Sequence, residues 1–363
     1  MAKMRLDQET TFTMIDAVDL FCGAGGLTAG MSNAGITVHA GYDIERQCEY
    51  AYHENNGAAF VAKDVKTVTS DELNSWYGGG TGRYRLLAGC APCQPFSSYN
   101  QGKDTSTDRK WPLLYHFARL ISEVQPELVT MENVPDVTKH EVYNDFVKNL
   151  ESQNYKIWAN KVSCVDYGLP QQRRRHVLLA SKLGPIELIK PTHLGRPVSV
   201  MDVIGDLPRI AAGDCDPDDP MHRSATLTPI NMQRILCSRE GGTWRDWPPH
   251  LVAACHQKES GKTYGSVYGR MKGNDPSPTM TTLCYGFGNG RFGHPQQARA
   301  ISLREAAILQ SFPRDYQFMR PGEITFKAVG RMIGNAVPVR LGEVIGESLL
   351  THIRDIEAAQ LRG

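Results

Sequence analysis

Short apolar runs alternate with helix-like stretches along the first half of the chain. Runs with the length of buried strands lie at residues 14–21, 37–41, 84–88, 128–131 and 177–180. Alternation of strands with helices is typical of α/β domains that are built on a parallel sheet. We therefore predict a doubly wound, Rossmann-like α/β domain.

The pattern changes beyond about residue 183. Residues 185–318 are rich in Gly, Pro and scattered aromatics without clear helical periodicity, whereas residues 339–352 read as an apolar helix. We predict a larger domain over residues 1–188, a smaller irregular domain over residues 189–324, and a C-terminal segment, 325–363, that returns to the larger domain.

A cysteine in a Pro-Cys-Gln turn follows the apolar run 84–88. Cys93 stands where a predicted strand ends, and oriented backbone N–H groups at such a junction can favour a nucleophilic thiolate. Two alternatives also use Cys90, because a Cys-x-x-Cys pair could be half of a zinc site or a redox couple. The other cysteines are isolated in sequence, which argues against zinc, and the polar loop that follows argues against a thioredoxin-like helix.

The ends of the first strands indicate a cofactor site. Residues 22–30 form a glycine turn that lets the backbone approach a ligand, but they lack the Gly-x-Gly-x-x-Gly and Gly-Lys-Ser/Thr patterns, which argues against a nucleoside triphosphate. Asp43 and Asp64 close the next two strands. Each alone could be a capping residue, but together they favour an adenosine-type cofactor.

Charged residues end two further strands at the predicted edge that carries Cys93. Glu132 follows the run 128–131 and, when protonated, could donate to a ring nitrogen, although a helix-capping role is an alternative. The three arginines 173–175 could be a solvated rim or a phosphate clamp. Strand alternation would direct Arg173 and Arg175 to one face.

Several motifs follow one another along the chain: Asp-Leu-Phe-Cys-Gly-Ala-Gly-Gly (19–26), Ala-Pro-Cys-Gln-Pro-Phe-Ser (91–97), Glu-Asn-Val (132–134), Gln-Gln-Arg-Arg-Arg (171–175), the segments 299–307 and 310–313, and Gly-Asn-Ala-Val-Pro (334–338). In sequence and in order they resemble the motifs of the DNA cytosine-5 methyltransferases of bacteria and phages. The resemblance implies a methyltransferase domain that depends on S-adenosylmethionine, followed by a target-recognition domain.

The resemblance also implies a mechanism. Cys93 would add to C6 of a cytosine, Glu132 would contact N3 and the exocyclic amine, Arg175 would reach O2, and Arg173 would assist near the catalytic loop. The methyl group would pass to C5 within a specific short duplex sequence, leaving S-adenosylhomocysteine. Since a base inside a duplex cannot be reached, the cytosine would be flipped out.

Cofactor and DNA contacts follow from the same resemblance. It assigns the methionine end to Phe21, Gly23 and Gly25, the ribose to Asp43, the adenine to Ile44, Asp64 and Val65, and completion of the pocket to Asn335. Ile44 departs from the aromatic residue that is common in the family. Candidate DNA contacts are Ser97, Tyr99 and Asn100 after the nucleophile, and Arg245, Arg270 and Thr279 in the recognition region; the loop after Cys93 could also be merely a surface loop.

Composition does not indicate a function, but it constrains the expected location and partners of the protein. The net charge of +1 over 363 residues does not by itself indicate a nucleic-acid binder, so basic residues would have to be distributed unevenly. Nine cysteines without a disulfide-like pattern, no apolar signal core and no long apolar run fit a cytoplasmic protein. We expect a monomer that binds double-stranded DNA and associates with the nucleoid when bound. We expect no bound metal and no membrane attachment. A cognate restriction endonuclease is a further expected partner.

Two other functions compete with this interpretation. An RNA cytosine methyltransferase would share the fold, but the Cys-Phe-Thr motif of the family's tRNA-modifying relatives is absent. A catalytically silent DNA-binding relative would not require Cys93, Glu132, Arg173 and Arg175 together.

Overall fold

A seven-stranded sheet forms the centre of the protein. The computed structural model describes residues 14–78, 83–92 and 112–362. The strands are β1 Met14–Leu20, β2 Thr37–Asp43, β3 Ala59–Ala62, β4 Arg83–Gly89, β5 Leu128–Asn133, β6 Lys156–Ser163 and β7 Arg174–Ser181. Their order in the sheet is β3-β2-β1-β4-β5-β7-β6.

The helices cover both faces of the sheet and continue beyond it. They are α1 Gly26–Ala34, α2 Glu49–Asn55, α3 Ser70–Asn74, α4 Pro112–Val124, α5 Glu141–Ser152, α6 Val200–Ile204, α7 Pro229–Cys237, α8 Ala254–Gln257, α9 Leu303–Leu309, α10 Phe326–Asn335 and α11 Val339–Gln360. Over the described residues, none of these helices has both the length and the apolar character that a membrane span requires.

The sheet topology places a crevice beside β1. Strands β1 to β5 run parallel, whereas β7 is antiparallel to both β5 and β6. The chain moves outward from β1 to β3 and then returns to β4 on the other side of β1. Ligands of doubly wound folds bind at such a switch point, beyond the carboxyl ends of the strands. The predicted Rossmann-like α/β fold is confirmed.

Two apolar layers sandwich the sheet. Along β1, Ile15 and Ala17 face one layer, where α1 and α11 pack, whereas Val18 and Leu20 face the other, where α4 and α5 pack. This alternation follows from the two-residue period of a strand. The same period puts Asp19 on the side of α1, next to the glycine turn.

Four strands, β2, β4, β5 and β7, are longer than the hydrophobic pattern predicts, and the extensions of β2 and β7 bear on the site. β2 continues to Asp43, and β7 begins at Arg174 rather than at residue 177. Pairing with β6 holds the polar start of β7 in the sheet, since Ser163 lies opposite Arg174. Apolar periodicity misses these residues because they are strand ends that approach the cavity described below.

No described residue after β7 joins the sheet as a strand. The region that follows contains short helices, isolated bridges and an outlying apolar cluster of Ile235, Trp244, Trp247, Leu251, Phe287 and Ala300. The division into three segments at residues 188 and 324 stays a prediction.

The motif at residues 299–307 has a structural explanation. Arg299 and Glu305 form a buried two-pronged ion pair, with Nη2–Oε1 and Nη1–Oε2 distances of 2.6 and 2.7 Å. Glu305 also accepts from the backbone N–H of Ser302, the N-cap of α9. The full pairing of both oxygens compensates for burial of the charges and fixes the start of α9.

Candidate active site

One cavity of about 390 Å³ lies at the carboxyl ends of the central strands. Sequence-predicted residues that line it are Phe21, Gly23, Asp43, Ile44, Asp64, Val65, Glu132, Arg173, Arg175 and Asn335. Its size is that of a small-molecule or cofactor site. Cys93, Ser97, Tyr99 and Asn100 lie outside the described residues, but Pro92, directly before Cys93, is part of the cavity wall.

The turn after β1 opens its backbone to the cavity. Phe21 and Gly23 have φ angles of 60° and 52°, in the left-handed region. Such a conformation strains Phe21 but not Gly23, and strain of this kind is often found at functional sites. A Cβ atom at Gly23 would meet nothing within 4 Å, so a ligand can approach this backbone closely.

Gly25 differs from the other predicted cofactor residues, because it does not line the cavity. Its φ is 88°, it is the N-cap of α1, and an added Cβ would lie 2.4 Å from the side chain of Asn56. Gly25 lets the chain turn into α1 against close neighbours, since glycine adopts this conformation without strain, and its contact with the cofactor stays a prediction.

Asp43 fixes the turn and faces the cavity. Its Oδ2 accepts from the backbone N–H of Gly23 at 2.8 Å, and its Oδ1 accepts from the N–H of Glu45 at 2.8 Å. Burial raises the pKa of Asp43, while these two backbone donors oppose the shift. A carboxylate at the end of the second strand suits contact with ribose hydroxyls.

Asp19 is a cavity residue that was missing from the sequence-based site. Its Oδ2 accepts from the Thr28 hydroxyl at 2.8 Å, whereas its Oδ1 is buried and has no hydrogen-bond partner among the described residues. Burial raises the pKa of Asp19 to about 7, and the nearby Asp43 also raises it. Its position directly before Leu20 and Phe21 hid it, because a polar residue inside an apolar run resembles an ordinary strand position.

The far end of the cavity is partly open. Ile44 is 65% exposed, Val65 is buried, and the Asp64 side chain accepts from the backbone N–H of Lys66 at 3.0 Å. Asp64 therefore caps the short helical turn Val65–Thr67 and also lines the cavity. Asn335, at the end of α10, is exposed at the cavity rim.

Glu132 lies near the other end of the cavity, buried beside two potential donors. Arg175 Nε is 2.8 Å from Glu132 Oε1, and the Cys90 thiol donates to Oε2 at 2.8 Å. The Arg175 contact is an ion pair that lies off the direction of a hydrogen bond, so Oε1 accepts none from the described residues. Asn133 donates to the carbonyl of Ala91 at 3.1 Å and thereby ties the chain that precedes Cys93 to β5.

Arg173 is buried at the cavity wall and binds backbone carbonyls. Its guanidinium donates to the oxygens of Met280 at 3.2 Å, Ala336 at 3.2 Å and Gly334 at 3.4 Å. Burial, followed by the nearby Arg175, lowers its pKa to about 9. These contacts connect Arg173 to the segment around residue 280 and to the end of α10, and its part in catalysis beside Arg175 stays a prediction.

Thr279 lies on the segment that Arg173 anchors. Its hydroxyl donates to the carbonyl of Gln172 at 2.7 Å, and the backbones of Gln172 and Ser277 are joined by a 2.7 Å hydrogen bond. The predicted recognition residue Thr279 is thus attached directly to the arginine motif of the active-site wall.

The two predicted recognition arginines have different surroundings. Arg245 is exposed, donates to the carbonyl of Lys262 at 2.7 Å and lies 5.2 Å from the Trp244 ring. Arg270 is partly buried and donates to three backbone carbonyls, those of Ser238, His294 and Gln297. Its guanidinium therefore stabilises the fold of its own region, which leaves few donors for DNA.

Comparisons with known proteins find relatives that match nearly the whole chain. The family model described as C-5 cytosine-specific DNA methylase matches residues 15–351. The Type II methylase M.HgiDII of Herpetosiphon aurantiacus is 50% identical over 352 residues, covering 96% of this chain and 98% of that protein. The Type II methyltransferase M.XorII of Xanthomonas oryzae pv. oryzae is 29% identical, covering 93% and 85%.

Solved structures show the same fold at low sequence identity. A protein described as a candidate DNA modification methyltransferase of an E. coli prophage superposes with a TM-score of 0.71 at 23% identity, covering 94% of this chain and 99% of the other. The Entamoeba histolytica methyltransferase EhMeth superposes with a TM-score of 0.66 at 16% identity, covering 94% and 99%.

Proposed function

The chain belongs to the C-5 cytosine-specific DNA methylases, and we propose that it transfers the methyl group of S-adenosylmethionine to a flipped-out cytosine in a short duplex sequence. As a member of that family it is a DNA cytosine methyltransferase. What we propose beyond family membership is the methyl donor, the covalent intermediate through Cys93 and the flipping of the target base. The observation that carries them is a single cavity with Asp19 and Asp43 at one end and the Glu132–Arg175 pair at the other.

The residues of the cavity fit the donor. When bound, S-adenosylmethionine would supply an electrophilic methyl group. Asp43 would accept from the ribose hydroxyls, and the open backbone at Gly23 would lie against the methionine part. Val65 and Ile44 would contact the adenine, Asp64 would accept from its amino group, and Asn335 would close the rim. The unpartnered Oδ1 of Asp19 would accept from the ammonium group.

The reaction at the base would use the opposite end. The Cys93 thiolate would form a bond to C6 of cytosine, while Glu132 would hold N3 and the exocyclic amine and Arg175 would donate to O2. These contacts stabilise the charge that develops on the ring and make C5 nucleophilic. After methyl transfer to C5, loss of the C5 proton would allow the bond to Cys93 to break and restore the aromatic ring.

The DNA contacts follow from position. Thr279 adjoins the Gln172 backbone at the site wall, and the exposed Arg245 would bind phosphate or a guanine edge. The segment after Cys93, with Ser97, Tyr99 and Asn100, would contact the duplex around the flipped base. Arg270 would stabilise the backbone of this DNA-contacting region through its hydrogen bonds to three carbonyls. We propose a monomer acting on chromosomal DNA and, from the Type II names of the relatives, a partner restriction endonuclease.

Bisulfite sequencing tests the reaction and its specificity together. A mixed-sequence duplex incubated with the protein and S-adenosylmethionine should show protected cytosines at one short recurring site. The control is the same incubation without the donor, which should leave every cytosine convertible. If no cytosine is protected although the donor is bound, the DNA-methylation proposal fails, and RNA substrates or a binding-only role would then be examined.

The affinity for S-adenosylhomocysteine should depend on the ionisation of Asp19. Because its folded pKa is about 7, the carboxyl is neutral at lower pH and becomes a carboxylate as the pH rises. If the ionised form binds the ammonium group, affinity should rise about tenfold per pH unit below the pKa and level off above it. Calorimetric titrations from about pH 6 to about pH 8 measure this slope.

Asp19→Asn is the matched variant for this titration. The amide keeps the shape of the carboxyl and the contact with Thr28 but cannot ionise. It should bind S-adenosylhomocysteine more weakly than the wild type above the pKa and with a flat pH profile. An unchanged slope in Asp19→Asn would assign the pH dependence to another group.

A further inference from the structure

A second cysteine contacts the proposed catalytic carboxyl. Cys90 follows β4 directly, and its backbone N–H donates to the carbonyl of Leu20 at 3.2 Å, which holds it between β4 and β1. From this position its thiol reaches across to β5, where Sγ lies 2.8 Å from Glu132 Oε2. Cys90 also lines the cavity.

The two oxygens of Glu132 are thus held from two directions. The Cys90 thiol donates to Oε2, and the Arg175 guanidinium forms an ion pair with Oε1. Glu132 is only 3% exposed, so water contributes little to its orientation. A buried carboxylate with a hydrogen-bond donor at one oxygen and an ion pair at the other has one preferred rotamer, whereas the ion pair alone would leave rotation about the carboxyl bond less restricted.

We propose that Cys90 is a positioning residue for Glu132 in cytosine methylation, an inference that rests on the proposed function. The thiol fixes Oε2 and so directs the carboxyl towards the place that the flipped base would occupy. A thiol is a weak donor, but a hydrogen bond to an ionised acceptor is stronger than one between neutral groups. Cys90 touches neither the base nor the methyl donor in this role.

The positioning role predicts an effect on turnover without an effect on cofactor binding. Cys90→Ala should lower kcat by about tenfold, the size expected when one hydrogen bond to a charged group is lost. The KM for DNA and the affinity for S-adenosylhomocysteine should change little, because Glu132 would act only on the flipped base. Cys90→Ser, which keeps a donor, should recover most of kcat.

The experiment compares four proteins on one duplex that contains the target site. Wild type, Cys90→Ala, Cys90→Ser and Cys215→Ala are assayed for kcat and KM, for S-adenosylhomocysteine binding, and for the rate of covalent trapping on a 5-fluorocytosine duplex. Cys215 is the matched control, since its thiol contacts the backbone carbonyl of Asp216 at 3.4 Å and does not line the cavity. Trapping should slow in Cys90→Ala in proportion to kcat.

The outcomes separate this inference from the proposed function. If Cys90→Ala keeps the wild-type kcat and trapping rate while the wild type methylates DNA, Cys90 does not position Glu132 and the proposed function stands. Failure of Cys90→Ser to recover activity, or an equal loss in Cys215→Ala, also overturns the inference. A wild-type protein that forms no adduct and transfers no methyl group overturns both.

Discussion

Alanine in place of Cys93 is expected to lower methyl transfer by about 10⁴-fold or more, the range seen when an enzyme loses its nucleophile. Without addition at C6, C5 of cytosine is not nucleophilic enough to take a methyl group. Pro92 lines the cavity and Asn133 donates to the carbonyl of Ala91, so the chain directly before Cys93 lies at the cavity wall and is tied to β5. The measurement is tritium transfer from labelled S-adenosylmethionine, with adduct formation on 5-fluorocytosine DNA.

The matched control for this loss is Cys255→Ala. Cys255 is an exposed cysteine that does not line the cavity, so its removal should leave transfer and adduct formation at wild-type rates. Cys93→Ala should still bind S-adenosylhomocysteine and duplex DNA, because neither proposed binding surface includes the thiol. Residual methylation by Cys93→Ala within tenfold of the wild type would show that the adduct route is wrong.

The fold could be predicted because its signals are local. Each central strand is a short apolar run that ends in a glycine turn or a charged residue, and parallel strands bring these ends together. Asp43, Asp64 and Glu132 were therefore predicted to lie near one edge, and the structure brings all three to one cavity. The length of β2 and β7 was less predictable, since polar strand ends are stabilised by their partner strands.

The missing parts of the site depend on contacts that are distant in sequence. Arg173 contacts the carbonyls of Met280 and Ala336, over 100 residues away, and only these contacts identify it as a connector of segments. The tight approach of Gly334 to Thr282, where an added Cβ would lie 2.3 Å from the backbone nitrogen, belongs to the same joint. Asp19 could be assigned to the site only once the structure showed which face of β1 packs against α1.

Glutamine in place of Glu132 is expected to reduce kcat by about 10²-fold to 10³-fold, the usual cost of removing a group that stabilises charge in the transition state. The amide has the same size but lacks the charge with which Glu132 would hold N3 and the exocyclic amine, and it leaves the Arg175 guanidinium without its 2.8 Å ionic partner. Because the cofactor residues lie at the other end of the cavity, the affinity for S-adenosylhomocysteine should be preserved. Single-turnover rates on a target duplex measure the loss.

The opposite end of β5 supplies the control for this variant. Glu127 precedes β5 and forms a 2.9 Å ion pair with Arg85, so Glu127→Gln removes the same charge from a comparable carboxylate–arginine pair outside the cavity. A general effect of lost ion pairing on the sheet would slow both variants, whereas a role in catalysis slows only Glu132→Gln. Equal single-turnover rates for Glu132→Gln and Glu127→Gln would therefore show that Glu132 has no special role in catalysis. The proposed positioning role of Cys90 would then fail as well.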